Sequence, residues 1–89
     1  MIDNLNTINE SVRKQLNNLE RLRRETDSLY TDNKYEYLLK DILNDYFLAA
    51  IADLMALSGL LIQALYCENK TDIKMLVDLT KFEQKFHRS

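Results

Sequence analysis

The apolar positions of this chain fall into three successive runs, each with helical spacing. In the first, Leu5, Ile8, Val12, Leu19, Leu22 and Leu29 recur at alternating steps of three and four. Gln15 and Thr26 are the polar members of that register, and Leu16 and Tyr30 widen the stripe. A 3.5-residue repeat sustained over several heptads predicts a helix over 3–29 with a coiled-coil-like seam. Its other faces carry Glu10–Lys14, Glu20–Arg24 and Arg21–Glu25 at i,i+4 spacing, the pattern of a solvated surface. Thr31-Asp32-Asn33 interrupts the repeat, and Asn33 followed by Glu36 resembles a capping box. So short a link predicts that the next helix returns antiparallel to the first.

The second run predicts a helix over 34–67. It starts amphipathic, with Tyr35, Leu38, Leu39, Ile42, Leu43 and Tyr46 against Glu36, Lys40, Asp41 and Asp45. Then the polar face disappears. Tyr46 to Cys67 holds one charge, Asp53, in 22 residues. A helix that is apolar all round has no solvent face and has to be surrounded. Ala49, Ala52, Ala56 and Gly59 step by 3, 4 and 3 along one stripe, where a second helix can approach closely. After Glu68-Asn69-Lys70, Thr71 is the expected cap of a third helix over 71–87. Its rows are Ile73, Leu76, Val77, Thr80 and Met75, Leu79, Phe82, Phe86, and Lys81, Lys85 and Arg88 suit a helix C-terminus. This helix is expected to fold back over the distal half of the second.

The predicted fold is all-α: one helical domain over 1–89, an antiparallel hairpin plus a third helix, bundle-like, with a long apolar central helix. A single Gly and no Pro agree with few turns and long helices. Two flanking helices leave part of the central one bare, which predicts a homo-oligomer or a dedicated protein partner. The net charge of −2 offers no general attraction to nucleic acid. One cysteine allows no intrachain disulfide, and the polar start has no signal-peptide pattern, so a cytoplasmic location is expected.

Candidate chemistry is sparse. Asp53 in the apolar run would be costly to bury unpaired. In the antiparallel hairpin it lies level with Arg13 and Lys14, and a returning third helix brings Lys85 level too, so a buried ion pair is expected. Asp41 and Asp45 are too few oxygens for a divalent cation. Lys14, Arg21 and Arg24 share an outer face of helix 1, but acidic residues are interleaved and no aromatic platform accompanies them. Cys67 and His87 lack the third group that a nucleophilic pair needs. Tyr30, Tyr35, Tyr37 and Tyr46 cluster near the first turn, a composition favoured at interfaces. No catalytic residue, metal or cofactor is expected.

The heptad-rich first helix, short turn and apolar second helix resemble small helical-hairpin chaperones, such as the subunits that shield needle proteins in bacterial type III secretion. That resemblance is one of architecture, with no residue role carried over. From the need to cover the central helix, the expected function is a non-enzymatic protein–protein interaction module, a chaperone, adaptor or inhibitor from a bacterium or phage. It would act by self-assembly and on a protein client, with Ala52, Ala56 and Gly59 for close packing and Tyr35, Leu60 and Phe86 as larger anchors. The alternatives are a small membrane protein with residues 46–67 in lipid, and a binder of a small ligand or nucleotide between subunits. Twenty-two residues suffice to span hydrocarbon, but Asp53, Ser58, Gly59 and Gln63 count against it.

Overall fold

The computed structural model describes residues 2–87. The side chains of Ile2 and His87 and the whole of Arg88, part of the basic C-terminal group, lie outside the described residues. Three helices, α1 (Ile2–Asp27), α2 (Lys34–Leu65) and α3 (Lys70–His87), account for nearly all of the described residues, and no strand forms among them. At 1.5 Å per residue α2 is about 48 Å long.

The first turn forms as its residues dictate. Asn33 adopts an extended backbone (φ −108°, ψ 134°), and its side chain accepts the Tyr35 backbone N–H at 2.7 Å. The Lys40 ammonium donates to the Leu29 carbonyl at 3.1 Å, tying the start of α2 to the end of α1. At the second turn the cap is Asn69 rather than Thr71. The Asn69 side chain accepts the Asp72 N–H at 2.9 Å, while the Asp72 carboxylate accepts the Glu68 N–H at 3.0 Å. This reciprocal pair satisfies backbone donors that a helix start leaves orphaned.

α1 and α2 pack as an antiparallel hairpin, but in a different register from the one expected. The shielded positions of α1 are Leu5, Asn9, Val12, Leu16, Leu19, Arg23 and Thr26, and Leu22 is half-buried beside them. The opposing positions of α2 are Lys40, Asn44, Phe47, Ile51, Leu54, Ser58, Leu61 and Leu65. Both series step by alternating fours and threes. Leu5, Val12, Leu19 and Thr26 keep their predicted inward place, whereas Ile8, Gln15 and Leu29 are exposed and Asn9 and Leu16 take the seam.

Polar side chains explain the shift. The Ser58 hydroxyl donates to the Asn9 side-chain oxygen at 2.9 Å, and both residues are buried. Half-buried Arg23 donates through Nε to the Asn44 side-chain oxygen at 2.8 Å. Asn9 and Arg23 are 14 residues apart on α1, as are Asn44 and Ser58 on α2. The two pairs therefore sit two heptads apart in one common register. Sliding the hairpin by one turn would break both and leave the buried Asn9 and Ser58 unsatisfied.

The seam is narrow. Val12, Ile51 and Leu61 are its buried apolar residues, and no described side chain is fully enclosed. α3 does not pack closely over the distal half of α2 as expected: it comes close at few points, and clefts lie between the two helices. The Cα positions extend 57 × 32 × 11 Å. Neighbouring helix axes lie 8–10 Å apart, so an 11 Å thickness leaves room for a single layer of helices.

Replacing Asn9 by Ala should cost about 1–2 kcal/mol, because the buried Ser58 hydroxyl loses its partner. The double variant Asn9→Leu with Ser58→Ala should recover that stability and lose the unique register. Urea unfolding reads the first effect and the number of amide resonances reads the second. An unchanged unfolding midpoint for Asn9→Ala would contradict the role assigned to this pair.

Candidate functional site

The most distinctive surface of the molecule is the side of α2 turned away from α1. Ala49, Ala52, Ala56 and Gly59 are all exposed on it. The stripe continues in both directions, through Asp45, Ile42 and Leu38 toward the hairpin tip and through Gln63 and Tyr66 toward the second turn, all of them exposed. Successive members again alternate by three and four residues, parallel to the seam but on the opposite side of the helix. Leu48, Met55 and Ile62 flank the stripe and are exposed as well.

Gly59 is the informative position. A Cβ built there meets no heavy atom within 4 Å, so nothing in the chain itself requires a glycine. Glycine within a helix costs up to about 1 kcal/mol relative to alanine. The sequence carries that cost at a place where no contact within the chain calls for a glycine.

Between the stripe and α3 lies a cleft of about 680 Å³, walled by Asp53, Ala56, Gly59 and Gln63 on α2 and by Thr80, Glu83 and Gln84 on α3. A second, mainly apolar cleft of about 450 Å³ lies between Leu61, Ala64 and Leu5 on one side and Ile73, Leu76 and Val77 on the other, with Thr80, Lys81 and Gln84 at its border. Leu60 borders both, so it faces α3 rather than lying on the small-residue stripe. Phe86 is exposed and meets Phe82 with ring centroids 5.2 Å apart, extending the apolar outer row of α3 through Met75 and Leu79. Tyr35 is exposed in the first turn of α2, with Tyr30, Tyr37 and Tyr46 exposed near it.

The buried ion pair expected of Asp53 does not form. Asp53 is exposed, because the seam passes through Ile51 and Leu54 and carries residue 53 to the side. Arg13, Lys14 and Lys85 are exposed too. The ion pairs among the described residues are Arg21–Glu25 and Lys74–Asp78, each between neighbours one helical turn apart on solvated faces. Such pairs contribute little to stability. Among the described residues no group of three or more His, Cys, Asp or Glu side chains could hold a metal ion.

The chain exposes 7603 Å². A compact monomer of 10.5 kDa exposes roughly 5,400 Å². About 2,200 Å² is therefore open that an ordinary protein of this mass would cover. An unfolded chain of this mass exposes roughly 15,000 Å², so folding as a single copy buries about half of it, less than the roughly 60% typical of even a 60-residue domain. No protein-family model matches the chain, and no curated protein or solved structure is significantly similar to it.

Two substitutions test these placements. Asp53→Asn should leave stability within about 0.5 kcal/mol, as for any exposed residue free of special contacts; a large loss in urea unfolding would mean that the carboxylate is paired. Gly59→Ala, studied at a dilution where light scattering reads a single chain, should raise stability by about 0.5–1 kcal/mol. A fall would mean that part of the chain itself packs against Gly59.

Proposed function

We propose that this protein is a non-enzymatic helical interaction module, a chaperone, adaptor or inhibitor, that completes its fold by self-assembly and engages a protein client. The observation that carries this reading is the uncovered side of α2. Domains are built from at least two packed layers around a core, and this chain supplies one. Apolar surface left in water costs free energy in proportion to its area, so a second layer from another polypeptide would stabilise the chain strongly. The i, i+3, i+4, i+7 spacing on the stripe is that of a helix-in-groove contact. The tyrosines near the hairpin tip suit a client contact at a distance from the stripe, since they combine large apolar rings with a polar edge. A cytoplasmic location fits this reading.

A second reading is favoured by one specific observation. α2 is long and apolar enough to cross a membrane by length and composition, and 17% of its most apolar stretch is buried in the chain. Against it stands the hairpin itself. α1 runs beside that stretch, level with it from about Leu5 to Leu19, and carries Glu10, Arg13 and Lys14 exposed. A membrane-spanning α2 would have to shed α1 or draw those charges into hydrocarbon, at several kcal/mol.

Native mass spectrometry of untagged protein, purified without detergent from its own host, tests both. The interaction reading expects a soluble species above the mass of one chain, either a homo-oligomer or a complex with a second polypeptide in fixed ratio. A soluble, well-folded monomer would refute it. Protein that sediments with membranes and is released by detergent alone would support the membrane reading.

A further inference from the structure

We propose that the surface covering the outer side of α2 is the same side of α2 from a second copy, lying antiparallel about a two-fold axis level with residue 54. This rests on the self-assembly reading above and names its geometry.

Area gives the first argument. The excess exposure of roughly 2,200 Å² per chain is spread over α2, the outer row of α3 and the hairpin tip, and it is larger than the roughly 1,000 Å² that each partner of the smaller obligate homodimers contributes. A transient contact needs far less. The excess also belongs to a flat, one-layer molecule, and two such layers placed face to face make the two-layer architecture that the single chain lacks.

The order of side chains along the stripe gives the second. Antiparallel pairing about residue 54 sets Ala52 against Ala56 of the second copy and Ala49 against Gly59 of the second copy. Small residues then face small residues over the whole centre, and the two backbones can approach closely, which gives Gly59 a use that its own chain does not. One step further out, Asp45 meets Gln63 of the second copy, a carboxylate acceptor against an amide donor. By symmetry this happens twice. Ile42 and Tyr66 of the second copy close the ends with apolar contact. Parallel pairing would instead set Asp45 against Asp45 at the edge of an apolar contact, where like charges repel. A self-complementary order of this kind is what an isologous interface requires.

The occupied face lies opposite the α1 seam, so the hairpin register is undisturbed. The cleft between α2 and α3 is open at Ala56 and Gly59, and its α3 wall, through Thr80, Glu83 and Gln84, would border the second copy's α2.

The test uses the full-length chain with Cys67→Ser as background. Ala49→Cys and Gly59→Cys are made separately, and both positions are open in the single chain. Each variant is refolded alone and as an equimolar mixture, then oxidised mildly and separated without reductant. The expected result is a cross-linked dimer from the mixture and little from either variant alone. Cross-linking of each variant with itself would show parallel pairing and overturn the proposal. Light scattering that reads an oligomer, with no 49–59 cross-link, would overturn this geometry and leave self-assembly standing. A monomer by light scattering would overturn both. A second measurement changes no backbone: Gln63→Lys should tighten the dimer about five-fold and Gln63→Glu should loosen it by a similar factor, through two symmetric contacts with Asp45. Equal affinities for the two variants would also overturn the proposal.

Discussion

Coverage of α2 is the constraint from which the rest of the molecule follows. A helix can pack one neighbour along each side, and each neighbour shields only the stripe that faces it. α1 meets the stripe through Ile51, Leu54, Ser58 and Leu61. α3 lies along the flank near Leu60 and Ala64 and comes close to α2 at few points. What remains is a third, continuous stripe with small residues at its centre. A soluble surface helix would carry Lys and Glu there. This one carries alanine and glycine, which minimise the apolar area presented to water and also allow the closest approach of another backbone. The two effects have one composition, and they explain why a nearly charge-free stretch of α2 is tolerable in a chain so thinly covered.

The polar pairs in the seam answer a different need. A hairpin held only by Leu, Ile and Val at repeating heptad positions can slide by a heptad with little penalty. Asn9 with Ser58 and Arg23 with Asn44 remove that freedom, since each pair is satisfied in a single alignment. Their net contribution to stability is small, because each bond replaces bonds to water. Their contribution to uniqueness is large, because misalignment leaves Asn9 and Ser58 buried and unpaired. Fixing the seam in turn fixes which residues of α2 point outward, so the small-residue stripe depends on these hydrogen bonds even though it never touches them.

The sequence made most of the fold legible. Two breaks rich in Asn and Asp, a single Gly and no Pro gave three helices with ends within about two residues, as cap uncertainty allows. The antiparallel hairpin followed from the short first turn. The seam of α1 departs from the apolar heptad pattern because Asn9 and half-buried Arg23 occupy it in place of Ile8 and Leu29. Ile8 and Leu22 are as apolar as Leu5, and periodicity alone cannot rank Ile8 against Asn9. The signal was there in the matched 14-residue spacings of polar residues on the two helices, which becomes visible only once the helices are paired. Asp53 is exposed for a related reason: the apolar run around it is mostly bare, so a charge within it stays in water. The stripe at Ala49, Ala52, Ala56 and Gly59 was readable from spacing, but that no part of the chain meets Gly59 is a fact of three dimensions.

The charges on α1 bear on which environment suits the bare side of α2. Lipid and protein are both apolar enough to receive Ala, Leu and Ile, and α2 alone does not discriminate between them. α1 does. It lies beside the most apolar stretch for several turns, held there by the Asn9–Ser58 bond, and its far side is dense in charge from Glu10 to Lys14. A partner that meets only the outer side of α2 leaves that charged surface in water, where it costs nothing. A bilayer would enclose both helices at the same depth. The same hydrogen bonds that align the hairpin therefore hold α2 beside a charged neighbour, and they set the cost of any arrangement that would enclose both helices in hydrocarbon.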